Sequence, residues 1–122
     1  MSGTSTAGRI DKGYKALYLF DYFNAKKHFD KGLKYNESPA AQGLATIYFR
    51  EDNPFHSYDS AFLYVQRSIA TFDMVKERKR LKYETYGFTK DSLYAMRQQV
   101  SSQFFKQAKN EFTVTAFSQF IT

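Results

Sequence analysis

The chain contains no cysteine. Disulfides, thiolate nucleophiles and cysteine-based metal sites are therefore excluded. Tryptophan is absent too, so every aromatic residue is Phe or Tyr. Proline occurs twice and glycine six times in 122 residues. That is too few turn-formers for a fold of many short strands, and it favours helices. No apolar run reaches the roughly 18 residues that a membrane-spanning helix needs. No Gly-Lys-Ser or Gly-Lys-Thr occurs, and Gly3, Gly8 and Gly13 do not make a phosphate-binding loop.

Catalytic chemistry is equally thin. His28 and His56 are the only histidines, and a metal ion needs several convergent donors. They read as surface or loop histidines. Asp21, Asp30, Asp52 and Asp59 show no spacing tied to acid–base work, and no serine stands in a nucleophile elbow. The expectation is a chain without catalytic residues, metal or cofactor.

What is present is a core-forming composition. Hydrophobic residues make up 43%, enough for one domain to bury a core. Phe and Tyr make up 19%, which suits bulky packing between helices. The first eight residues are small and polar and lack the apolar centre of a signal peptide. They read as a loose leader, and residues 9–122 as the domain. The net charge is +6, which admits anionic partners without naming one.

Periodicity divides the chain into about seven helices, with no strand pattern of useful length. The first spans about 9–19 and the second about 21–35. The second carries Tyr22, Ala25, Phe29 and Gly32-Leu33 at steps of three and four. Ser38-Pro39 reads as an N-cap followed by proline at the first helical position, opening a helix to about Arg50. Asn53-Pro54 marks a loop, and a fourth helix follows from Tyr58 to about Phe72. The run Lys76–Lys82 suggests a short charged helix, stopped by Gly87. Thr89-Lys90-Asp91 caps a sixth helix to about Asn110, with Leu93, Met96, Val100, Phe104, Phe105 and Ala108 as its stripe. A seventh is expected from Thr113, with Ala116, Phe117, Phe120 and Ile121.

Gly13, Ala25, Phe29 and Gly32 recur as a spacing in Gly43, Ala61, Val65 and Ser68, with about six residues inserted at the 53–56 loop. Ala116 and Phe120 repeat one step of it. This pattern resembles the tetratricopeptide repeat, a helix–turn–helix unit of about 34 residues. The closing proline is displaced to Pro39, and the basic run lies outside a standard unit. The resemblance implies an all-α fold of antiparallel hairpins stacked as a short right-handed superhelix. The segments Phe20–Phe29 and Asp52–Ala61 are similar to tetratricopeptide domains of large cell-envelope proteins of Bacteroidetes. That likeness implies a fragment of a longer array on the envelope or periplasmic side, linked to gliding or type IX secretion.

The resemblance also implies that the first helix of each hairpin lines a concave groove for a peptide or helix. By helical phase, Lys15, Tyr18, Thr46 and Arg50 fall on that groove. The function implied is a non-catalytic scaffold or adaptor with a protein or peptide partner. The alternative is a nucleic-acid or anionic-membrane binder centred on Lys76, Arg78, Lys79, Arg80 and Lys82. Against it stands the reading of that run as a solvated helix face. An apolar C-terminal helix would also be able to pair with a second copy.

Overall fold

The chain folds by capping one short helix after another. The computed structural model describes the backbone of residues 8–121 and the side chains of residues 8–111. Among these the fold is all-helical, with six α-helices packed on one another. They are α1 (Arg9–Tyr18), α2 (Tyr22–Gly32), α3 (Glu37–Phe49), α4 (Tyr58–Thr71), α5 (Glu77–Glu84) and α6 (Lys90–Ile121). A single 3-10 turn, Phe72–Met74, follows α4. α1 packs on α2, α2 on α3 and α3 on α4, while α4 passes over α5 to pack on α6. The leader, residues 1–7, lies outside the described residues.

Side chains cap the N-terminal ends of three helices. The Asp21 carboxylate accepts the Asn24 amide and starts α2. Ser57 accepts the Ser60 amide and starts α4. Thr89 and Ser92 cap α6 reciprocally, each hydroxyl accepting the other's backbone N–H at 3.1 Å. The end of α5 uses Gly87 at φ 87°, with Phe88 N–H bonded to Tyr83 O and Gly87 N–H to Glu84 O. That is the six-to-one, five-to-two closure in which a left-handed residue ends a helix. The end of α1 repeats it: Asp21 N–H reaches Ala16 O and Phe20 N–H reaches Leu17 O. Here the left-handed residue is Phe20, at φ 60°, where a Cβ is unfavourable.

Small residues hold the helices close. Phe29 of α2 is fully buried and its ring lies between Gly13 of α1 and Gly43 of α3. A Cβ on Gly13 would stand 2.7 Å from the ring, and one on Gly43 would overlap it further. Only hydrogen fits at either position. Gly32 meets Ile10 of α1, whose Cδ1 would be 3.0 Å from an added Cβ. Ala25 and Ala61 are fully buried. At the corresponding place in the next hairpin, Ser68 replaces the glycine. Its hydroxyl donates to Ser38 O at 2.7 Å, and the Ser38 hydroxyl donates to Ser68 O at 2.7 Å. These reciprocal bonds satisfy two buried hydroxyls and tie α3 to α4.

Four expectations change. Ser38 does not cap α3, because the helix already begins at Glu37 and the Ser38 hydroxyl is spent on Ser68. The second helix ends at Gly32, short of Tyr35. The sixth and seventh helices are one continuous helix from Lys90 to Ile121. No glycine or proline interrupts residues 108–116, so nothing there breaks the backbone ladder. The stripe of α6 is only half used. Leu93 and Val100 are buried and Phe62 of α4 packs near Phe104, but Phe105 and Ala108 are exposed. The side chains of Ala116, Phe117, Phe120 and Ile121 lie outside the described residues.

Candidate functional site

An apolar concavity opens where α1, the end of α3 and the end of α5 meet. It has a volume of about 610 Å³ and is lined by Tyr14, Lys15, Leu17, Tyr18, Leu19, Arg50, Thr85 and Tyr86. Its floor is a pair of stacked rings, Tyr14 and Tyr86, 4.6 Å apart and 12° from parallel. Tyr14 also meets the edge of Phe29. The floor of the groove therefore rests on the Phe29 wedge that spaces α1 from α3.

Hydrogen bonds fix both floor rings. Tyr14 Oη donates to Gln42 Oε1 at 2.6 Å. Tyr86 Oη donates to Asp11 Oδ1 at 2.8 Å, and the other Asp11 oxygen takes Lys82 Nζ at 2.8 Å. Asp11 is buried, and these two donors compensate its burial. Burial pushes the Tyr86 hydroxyl up to about 12, with the Asp11 hydrogen bond adding to it. Burial also raises Tyr14 well above its ordinary value, helped by Tyr83 and Tyr86. Both phenols stay protonated and remain donors near neutral pH. With their hydroxyls engaged elsewhere, they offer ring surface to the groove.

Cations stand at its rim. Lys15 lies on α1, and Arg50 at the end of α3 sits over the Phe20 and Tyr22 rings at 5.7 and 5.9 Å. No carboxylate belongs to the lining. A strongly exposed Tyr18 and Leu19 form one wall. The arrangement offers apolar faces, cationic donors and no nucleophile–base pair. Among the described residues no group of three or more His, Asp or Glu side chains converges as metal ligands would.

Three of the four groove residues chosen by helical phase, Lys15, Tyr18 and Arg50, meet in this concavity. Thr46 does not line it. Its hydroxyl turns back to Gln42 O at 2.9 Å and accepts from Gln42 Nε2 at 3.2 Å. Thr46 thus braces the residue that holds Tyr14. Sequence reasoning missed the floor residue Tyr86 and its neighbour Thr85. Both come from the end of α5, a helix outside the repeat pattern. Tyr86 and Lys82 tie α5 to Asp11 of α1, and helical phase within a hairpin cannot show that.

The basic run of α5 is dispersed. Lys82 is held by Asp11. The Arg80 guanidinium lies over the Phe72 ring at 5.6 Å, with Nε buried and unbonded. Lys79 reaches Asn36 Oδ1 at 3.4 Å, and Lys76 and Lys79 share a smaller hollow with Lys34 beside the α2–α3 turn. Arg78 is exposed. An eight-residue helix turns through more than two full circles, so consecutive cations cannot share a face. No protein-family model, curated protein or solved structure matches this chain.

Proposed function

We propose that this chain is a non-catalytic protein-interaction module, a tetratricopeptide-like scaffold that takes a peptide or helix from its partner. The observation that carries this is the groove, where Tyr14 and Tyr86 stack at 4.6 Å beneath Lys15, Tyr18 and Arg50. Tyrosine and arginine over a pre-formed apolar floor are the residue types that dominate binding hot spots. The Gly13–Phe29–Gly43 wedge supports a stacked hairpin architecture, because it spaces three successive helices through one ring. On this reading the hairpins build a right-handed superhelix and the groove is its concave side. The resemblance of Phe20–Phe29 and Asp52–Ala61 to Bacteroidetes envelope proteins supports a place in an envelope-side assembly.

The test is affinity capture of a protein partner, followed by calorimetry with the purified pair. Binding falls at least tenfold in Tyr18→Ala/Arg50→Ala and is unchanged when Arg78 and Lys79 are replaced by glutamine. Partner binding that ignores the groove pair but is lost on neutralising Arg78 and Lys79 would refute the scaffold reading. It would favour a charge-driven binder centred on α5, whose affinity falls steeply with salt.

A further inference from the structure

Beside the groove, the connection between α1 and α2 carries a second feature of different chemistry. Leu19, Phe20 and Phe23 are 74%, 65% and 73% exposed. Three large apolar side chains so bare within five residues are unusual on a soluble surface, where such groups are scattered singly. Phe20 is also strained. It stands at φ 60°, a conformation in which glycine or asparagine costs less. Strain on an exposed apolar residue points to a use for that side chain.

The hairpin behind this tip is itself basic. Residues 9–36 hold seven Lys or Arg against three Asp, a net +4 of the chain's +6. Arg9, Lys12, Lys27 and Lys31 surround His28 and lower its pKa, after the larger effect of its own burial. Among the described residues none of these four cations forms an ion pair. Asp21 accepts from Asn24, and Asp52 accepts from Tyr22 Oη at 2.8 Å; the hairpin keeps a net positive charge with Asp21 counted.

We propose that the α1–α2 hairpin docks on an anionic lipid bilayer, with Leu19, Phe20 and Phe23 entering the interface and the hairpin's lysines meeting the headgroups. Apolar residues ahead of a cationic surface match the two layers of such a membrane, acyl boundary and anionic headgroups. A nucleic acid would call for aromatics interleaved with the cations so that bases stack. Here Tyr18, Phe20 and Phe23 are gathered at one end, and Tyr35 stands apart at the other. A protein partner is favoured by the concave groove, whereas these side chains project from a turn. Leu19 also lines the groove, so the two readings are separated at Phe20 and Phe23 here and at Tyr18 and Arg50 above.

The chain has no tryptophan, so Leu19→Trp makes a single-site reporter. The unaltered chain should sediment with vesicles of about 3:1 phosphatidylcholine and phosphatidylglycerol, and stay in solution with phosphatidylcholine alone or in high salt. The Leu19→Trp emission should shift to the blue on the anionic vesicles only. Phe23→Ser and Lys12→Glu/Lys27→Glu should each lose sedimentation while keeping the helical circular dichroism of the parent. Phe20→Gly should lose it while melting higher than the parent, which separates docking from folding. Failure of the unaltered chain to sediment overturns the proposal, as does equal binding to both vesicles. Binding that survives both Phe20→Gly and Phe23→Ser reduces the contact to charge and overturns insertion. Loss of partner-protein binding in those variants, with no vesicle binding by the parent, assigns the tip to the protein interface instead.

Discussion

Gly43→Ala is the sharpest probe of this architecture, because two effects of opposite sign meet in one methyl group. In an exposed helix interior the change would stabilise by about 1 kcal/mol through helix propensity. At position 43 the new Cβ would overlap the Phe29 ring. The ring cannot retreat freely: it is fully buried, faces Gly13 at what would be Cβ distances of 2.7–2.9 Å, and meets the Tyr14 ring edge at 5.1 Å. Overpacking a filled core costs roughly 1–3 kcal/mol, and here the obstacle is a rigid ring with no spare rotamer. A net loss of about 1–2 kcal/mol follows, which lowers Tm by roughly 4–8 °C for a domain of this size. Urea denaturation monitored by helical circular dichroism measures it. A double-mutant cycle with Phe29→Leu isolates the cause. The smaller side chain should absorb most of the Gly43→Ala penalty, while Phe29→Leu alone destabilises by leaving space beside Gly13. A Gly43→Ala variant as stable as the parent, or more stable, would refute the wedge. Additive losses in the double mutant would place the cost elsewhere.

Three further outcomes follow from named contacts. Ala25→Leu should cost roughly 1–3 kcal/mol by overpacking, since Ala25 is fully buried in the core cluster; an unchanged melting temperature would contradict that. Phe20→Gly should raise stability by about 0.5–1 kcal/mol, as relief of left-handed strain outweighs the added freedom of the unfolded chain; a lower Tm would show that the Phe20 contacts with Tyr22 and Arg50 matter more than the strain. Stability should also fall in alkali. The Tyr86 hydroxyl is raised to about 12, so the folded chain holds that proton more tightly than the unfolded one. Its contribution is whole below about pH 10 and is lost as pH rises toward 12. Tyr86→Phe should flatten that part of the pH–stability curve, and an unchanged slope would sink the assignment.

Individual residues show how much was legible in the chain. The helical class followed from scarce glycine and proline and from periodicity, both local properties. Gly87 as a helix stop and Thr89 as a cap are equally local, and both stand in the structure. Ser38 misled because a serine before proline is a good cap in isolation. A buried partner 30 residues away claimed its hydroxyl. The break expected after Asn110 is absent, because no glycine or proline interrupts the chain there and the backbone ladder carries α6 on to Ile121.

The candidate site divides along the same line. Lys15, Tyr18 and Arg50 could be placed by phase because they lie on α1 or at the end of α3, each one helical step from residues that pack. Thr46 passed the same phase test and failed, since its own helix offered a closer acceptor. Tyr86 gave no signal, because its stacking on Tyr14 depends on how α5 returns to α1 across 72 residues of chain.

Sequence alone determined which segments are helices, where most of them start and stop, and which small residues permit close approach. Those are matters of backbone conformation and side-chain size within a few residues. Tertiary structure alone decided which ring fills the space between Gly13 and Gly43, and which tyrosines form a floor. It also decided that cations of the run 76–82 meet Asp11, Phe72 and Asn36, while cations of α1 and α2 gather around His28. Each of these depends on the angle and separation at which distant helices meet, and that is set by the sum of all their contacts.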